Sequence, residues 1–274
     1  MKKLVNYVYD VERFGFSPVK IWNRLFIDRG DLPKILTVSI PKSGTNLLQR
    51  VLILHPMLYR RIMPTLGQRN KDYWSNWDKI FNKSKYGEII SSHIDYDESF
   101  ENYIINKVHH KIVFITRDPR DIVISDMHYI LKKKGHGYRE HLMKMSSEKE
   151  MLTALILGDD VIRPINQQIN RFAGWVNPKV HCVKFEDMVG NAGGGDDYRQ
   201  RAAIRELYEF LGIKINDSLL EYIANNCRSS KTQTYRSGKI NNWKKQFDDE
   251  LKVQFKTVAG DLLIEMNYEK DHSW

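Results

Sequence analysis

Between Pro41 and Leu47 the chain runs Lys42-Ser43-Gly44-Thr45-Asn46, a lysine and two hydroxyl residues around one glycine. Such residues at such spacing suit the holding of an anion. Small side chains let the backbone approach a ligand, and the first N–H groups of a helix have no partner within it. A lysine and hydroxyls beside those donors complete a cradle. The order is not the GxxxxGK[ST] of ATP-binding loops, because Lys42 precedes Gly44. Arg117 is a second anion-directed group, placed where an apolar run ends and Asp118-Pro119 opens a helix with a cap followed by proline. Ser125 lies farther along that helix and shares a ligand with Arg117 only through the length of the arginine side chain. A third candidate is His93, which follows the run Glu88–Ser92; imidazole accepts a proton near neutral pH.

These groups need elements to position them. Four short β-branched runs read as strands: Ile35–Ile40, Glu88–Ser92, Lys111–Thr116 and Lys179–Phe185. Pro41 stops the first because proline cannot donate to a sheet. Helical spacing marks Asn46–Leu54, Pro119–Leu131, Glu148–Leu157, Ile162–Trp175, Arg199–Leu211 and Asp249–Met266. Alternating strands and helices predict an α/β fold, a mostly parallel central sheet flanked by helices, forming one domain over residues 1–274. Ligands in such sheets bind beyond the carboxyl ends of the strands, where Lys42, His93 and Arg117 all fall. Two segments fit no element. His55–Tyr86 carries Tyr73, Trp74, Trp77, Phe81 and Tyr86 and reads either as a cover over a pocket or as an edge decoration. Asn191–Asp197, reading NAGGGDD, has the composition of a flexible surface loop.

Composition narrows the partners. Lys and Arg number 43 against 34 Asp and Glu, giving a net charge of +9 that favours nucleic acid, a lipid surface or a multiply charged nucleotide. The basic residues are scattered, and Lys132-Lys133-Lys134 is too short for a nucleic-acid arm, so no nucleic-acid partner is expected. Cys182 and Cys227 form neither CxxC nor Cys/His spacing, which argues against disulfide frameworks and zinc and fits a cytoplasmic setting. No stretch is long and apolar enough to span a bilayer, and no membrane association is expected.

PKSGTN resembles the 5′-phosphosulfate loop of the cytosolic-type sulfotransferases, usually PKSGTTW, whose P-loop-kinase-like fold binds 3′-phosphoadenosine 5′-phosphosulfate (PAPS). The resemblance implies that Lys42 contacts the bridging oxygen of PAPS, while Ser43, Gly44, Thr45 and Asn46 wrap the 5′-phosphate. Leu47 then stands where a tryptophan usually stacks on adenine. RDPRDIVISDMHY is similar to the family's 3′-phosphate motif, with Arg117 and Ser125 on its phosphate-binding positions. Arg236-Ser237-Gly238 with Asn241-Asn242-Trp243-Lys244 resembles the RKGxxGDWK segment, adding Arg236, Ser237 and Gly238 to the donor contacts, and Ser229 just upstream. VKFEDMV resembles the YED segment and puts Phe185 beside the adenine. His93 matches the catalytic histidine of a THLP-like context. The implied reaction is in-line attack on sulfur by a hydroxyl, or an amine, of a small-molecule acceptor such as a polar specialised metabolite. His93 takes the proton and Lys42 offsets charge on the leaving oxygen, with no metal required.

Departures from the family pattern sharpen what to look for. Ser91 replaces a lysine, Ser237 another lysine, and Asn241-Asn242 replace Gly-Asp. Asp248-Asp249 stand where the family's dimer motif has Thr-Val, which leaves the oligomeric state open. Asp95, Asp97 and Glu98 form an acidic cluster that reads either as a receiver for a cationic or polyhydroxylated acceptor or as a solvated loop. Two rival functions are a kinase-like phosphate-loop enzyme, which lacks its Walker lysine here, and a nucleic-acid module supported by charge alone.

Overall fold

β-branched side chains fill a pleated surface that is covered on both faces, and the predicted runs form such a surface. A computed structural model describes residues 30–67, 77–228 and 238–274, together with Trp22 and Phe26. Its strands are β1 (Lys34–Ser39), β2 (Tyr59–Arg60), β3 (Leu66–Gly67), β4 (Glu88–His93), β5 (His110–Thr116) and β6 (His181–Lys184). They pair in the order β2-β4-β1-β5-β6, every pair parallel, with β3 alongside the end of β4. The chain leaves β1 to build one side of the sheet and then crosses β1 to build the other. Ligands in parallel sheets bind at such a switch.

The longer helices are α1 (Thr45–Ile53), α2 (Pro119–Lys132), α3 (Glu148–Leu157), α4 (Asp197–Leu211), α5 (Asp217–Asn226) and α6 (Asp249–Glu265). Strand alternation sends Leu36, Val38, Ile90, Ile112 and Phe114 to one apolar layer, beneath α2, α3 and α6. Ile35, Ile89, Val113 and Ile115 face the other, beneath α1, α4 and α5. On this second face the carboxyl-terminal halves of β1 and β4 turn polar. Thr37 Oγ1 lies 2.8 Å from Ser91 Oγ, which accepts from Gln49 Nε2 of α1 at 2.5 Å. The apolar core thus gives way to hydrogen-bonded side chains as the strands approach the ligand edge.

Several sequence expectations need correcting. The predicted helix over Ile162–Trp175 is two pieces, Ile165–Asn170 and a 3₁₀ turn at Ala173–Trp175. Trp175 turns into the core there, and its Nε1 donates to the Ile94 carbonyl at 3.0 Å. The segment 55–86 contributes β2, β3 and the short helix Trp77–Asn82 to the sheet edge. Trp77 stacks on Phe100 and Tyr103, whereas Tyr73 and Trp74 lie outside the described residues. The glycine-rich 191–197 segment is a folded turn, not a flexible loop. Gly193 is buried, a Cβ there would meet the Gly238 carbonyl at 2.9 Å, and Ile240 N–H donates to its carbonyl at 3.0 Å.

Candidate active site

The loop between β1 and α1 leaves the helix start uncapped by any side chain. Lys42 and Gly44 both take left-handed backbone, at φ 70° and 114°. The first N–H groups of that helix therefore face outward as donors. A Cβ on Gly44 would stand 2.5 Å from Phe185 Cδ2, so glycine is needed for the loop to pass beneath that ring. Thr45 and Asn46 open the helix at the loop's rim, with Asn46 exposed. Ser43 is tied to its surroundings by two hydrogen bonds. Fully buried, it donates its hydroxyl to the Ile115 carbonyl of β5 at 2.8 Å and its N–H to Ile40. It thereby anchors the loop to the neighbouring strand. Leu47 is also turned inward, packed in the apolar layer with Phe185 and Met188 rather than standing open beside the loop.

Arg117 joins the separate motifs. From the end of β5 its Nη1 donates to the Lys42 carbonyl at 3.4 Å and its Nη2 to the Lys239 carbonyl at 2.8 Å and to Asp121 at 3.4 Å. Its guanidinium carbon lies 4.4 Å from the centre of the Phe185 ring. The Nε is buried with no partner among the described residues, an unfilled donor on a desolvated cation. Asp121 also accepts from Trp243 N–H at 3.0 Å, which fixes the end of the 238–243 segment on α2. Lys239, Lys42 and Phe185 thus meet at Arg117, and half-buried Ser125 stands on α2 about two turns after its start. Ser229, Arg236 and Ser237 lie outside the described residues.

His93 ends β4, half-buried. Its Nδ1 lies 2.8 Å from the Ser39 carbonyl and 3.1 Å from Ser39 Oγ. A carbonyl only accepts, so Nδ1 carries the proton and the Nε2 lone pair is left for chemistry. Ser39 Oγ also reaches Thr45 Oγ1 at 2.8 Å, tying the histidine to the phosphate loop. Burial pushes the His93 pKa below the usual 6.5; the Ser39 carbonyl opposes the shift, and the cations Lys42 and Arg60 add to it. The imidazole is neutral at neutral pH as a result. Arg60 is itself buried in β2, its Nη2 directed to the Met63 carbonyl and Thr65 Oγ1.

Lys42 Nζ sits 3.7 Å from the centre of the Tyr129 ring. Burial lowers its pKa to about 8, with Asp126 opposing and Arg117 and Lys133 assisting. The acidic cluster is less open than its composition suggested. Asp95 pairs with Arg171 at 3.2 Å, and Asp97 caps the helix Glu98–Asn102 by accepting from Phe100 N–H. Glu98 is exposed. Among the described residues no cluster of side chains could hold a metal, and no helix is long and apolar enough to cross a membrane.

Four residues of this site escaped the sequence reading: Ser39, Arg60, Asp126 and Tyr129. A polar residue one place before the end of the run Ile35–Ile40 was a signal for Ser39. Helical spacing from Ser125 was a signal for Tyr129. Nothing local marks Arg60.

A family model described as "Sulfotransferase domain" matches residues 32–267. No curated protein sequence matches the chain significantly. Solved structures of similar fold include mouse sulfotransferase SULT7A1 complexed with PAP, at TM-score 0.61 and 19% identity over 87% of this chain and 86% of that one. Retinol dehydratase in complex with androsterone and the inactive cofactor PAP gives TM-score 0.55 and 15% identity over 93% and 83%. The same enzyme with retinol and PAP gives 0.55 and 13% over 93% and 84%.

Proposed function

This chain belongs to the sulfotransferase domain family, and we propose that it moves a sulfuryl group from PAPS to a hydroxyl of a small-molecule acceptor, with His93 as general base. The similar structures carry PAP, the nucleotide that remains when PAPS gives up its sulfuryl group. The residues here fit a nucleotide phosphorylated at both ends: an uncapped helix start for one phosphate, and for the other a buried guanidinium with an unfilled donor. When bound, PAPS supplies an activated sulfuryl group on an anionic leaving phosphate. Thr45, Asn46 and the backbone from Gly44 hold the 5′ side, while Arg117, Ser125 and the Gly238 segment hold the 3′ side. Phe185 borders the site by covering Gly44 and stacking on Arg117.

The single observation that carries the reading is the Ser39 carbonyl on His93 Nδ1. It fixes the tautomer whose Nε2 accepts a proton, beside the lysine that offsets negative charge on the leaving side. The acceptor belongs to the hydroxyl-bearing small molecules. A polar metabolite fits the half-buried, hydrogen-bonded surroundings of His93, but a cationic one gains no support from Asp95 and Asp97, which are already engaged.

Labelled PAPS offered with panels of phenols, alcohols, sterols and sugars tests the proposal. Wild type should label at least one class, and His93→Ala should lose about 10²–10⁴-fold in kcat while binding PAP as wild type does. Transfer persisting unchanged in His93→Ala would remove the histidine from the mechanism. The pH profile is a second check. Because burial and nearby cations lower the His93 pKa, the base stays competent as pH falls past 6.5, and the acid limb of kcat/KM should lie below that value.

A further inference from the structure

Asp121 stands one helical turn after Arg117, in the first turn of α2, where a carboxylate commonly serves the helix start. Here that task falls to Asp118, which accepts from Arg120 N–H at 2.9 Å. Asp121 directs both oxygens elsewhere. Its Oδ1 accepts from Trp243 N–H at 3.0 Å, a partner 122 positions away in the chain, and its Oδ2 lies 3.4 Å from Arg117 Nη2. One buried carboxylate thus joins the arginine to the segment that follows Gly238.

The turn over 239–243 is closed by bonds of its own. Ile240 N–H donates to the Gly193 carbonyl at 3.0 Å, Asn241 takes left-handed backbone at φ 59°, and Asn242 Nδ2 donates to the Lys239 carbonyl at 2.7 Å. Asparagine enters the left-handed region more readily than most residues that carry a side chain, and its amide, unlike a carboxylate, can donate to a carbonyl. Asn241-Asn242, which depart from the Gly-Asp of the related pattern, therefore suit a turn that this chain fixes by itself. The same Lys239 carbonyl accepts from Arg117 Nη2 at 2.8 Å, so Asp121 and the turn hold one nitrogen between them. Beyond the turn, Trp243 is pinned by Arg120, whose guanidinium carbon lies 3.8 Å from its ring centre.

We propose that Asp121 is a positioning residue for the 3′-phosphate of the donor: it locks the 239–243 turn to Arg117, so that guanidinium and turn meet the nucleotide as one preformed clamp. This rests on the sulfotransferase reading of the site. Because the ties fall on Nη2, the guanidinium is aimed while Nε, which has no partner among the described residues, stays unfilled. Groups ordered before a ligand arrives spare binding the cost of ordering them.

Calorimetric titration with PAP and with adenosine 5′-monophosphate, which lacks the 3′-phosphate, separates this role from a structural one. In Asp121→Asn the amide oxygen still accepts from Trp243 N–H, but the amide nitrogen now faces the guanidinium. The preference for PAP should shrink about three- to tenfold, the worth of one hydrogen bond, with the monophosphate bound as in wild type. Asp121→Ala frees the turn as well and should shrink the preference further. A merely structural carboxylate would lower the melting temperature and the active fraction, yet leave the ratio of the two affinities unchanged.

A second readout needs no variant. Amide hydrogen exchange of nucleotide-free wild type should find the Ile240 and Trp243 N–H groups protected, with PAP adding little. Open-chain exchange at those amides, or a PAP preference unchanged in Asp121→Asn, overturns the proposal and leaves the sulfotransferase reading standing. Wild type that binds neither PAP nor PAPS overturns both.

Discussion

Two arginines stand three residues apart where β5 meets α2, and the surroundings they organise could hardly differ more. Arg120 is saturated: Nε and Nη2 donate to Asp118 at 2.9 and 2.8 Å, and Nη1 to Glu269 at 2.6 Å. Its guanidinium carbon lies 3.8 and 4.4 Å from the ring centres of Trp243 and Trp274. Arg117 is also buried but underfilled: among the described residues two of its three hydrogen bonds are stretched to 3.4 Å and its buried Nε has no partner. A desolvated cation is tolerated when its donors are filled, and under the proposed function the partly empty one is completed by a phosphate. On that proposal, hydrogen-bond saturation rather than burial or residue type separates architecture from binding.

The largest effect should come from the architectural side. Arg120→Ala strands Asp118 and Glu269 in a desolvated place, and breaking such a pair costs about 3–5 kcal/mol. Thermal or denaturant unfolding of the variant checks this, and a loss within the error of wild type would erase the contrast. Arg117→Ala should act mainly on binding, weakening PAP about 10- to 100-fold by removing charged hydrogen bonds, while the melting temperature falls less than in Arg120→Ala because the pair with Asp121 is already stretched to 3.4 Å. Calorimetry and unfolding on the same preparation give both numbers. Glu186 sits between the two regions, accepting from Asp118 N–H at 3.0 Å and from the Tyr268 hydroxyl at 3.2 Å. Burial raises its pKa to about 7. An acid raised above its unfolded value contributes stability below about 4.5 and loses it as pH rises through about 7. Stability measured from pH 5 to 8 should therefore fall less steeply in Glu186→Gln than in wild type. Smallest is Ser39→Ala, which removes the hydroxyl from Thr45 and His93 but keeps the carbonyl that sets the tautomer. It should lower kcat only about fivefold, the worth of one neutral hydrogen bond. A loss as large as that of His93→Ala would mean that the hydroxyl, not the carbonyl, fixes the ring.

The legible parts of this fold are the local ones. β1, Pro41, the lysine–glycine loop and α1 follow one another within about twenty residues, so strand, breaker, cradle and helix could be read in a single pass. Arg117 was legible for the same reason, with its cap and proline beside it. What sequence could not rank was Arg117 against Arg120, because both stand in RDPR and differ only in the partners packing brings from Glu269, Trp243 and Trp274. Likewise, the Ser39–His93 contact joins positions 54 apart in the chain, and β2 and β3 are two residues each, too short for any period. The glycine-rich 191–197 segment misled for a physical reason. Glycines that allow disorder also allow the left-handed turns and close approach that dock Ile240 beside the site.

The central claim is that Arg117 is left underfilled to hold a second phosphate. It is tested most directly by comparing adenosine 5′-monophosphate with PAP, which differs from it by the 3′-phosphate alone, in calorimetric titrations of wild type and Arg117→Ala. Wild type should prefer PAP by at least about tenfold, and Arg117→Ala should bind both with similar affinity while staying folded. Equal affinities in wild type, or a preference that survives the loss of Arg117, would contradict it.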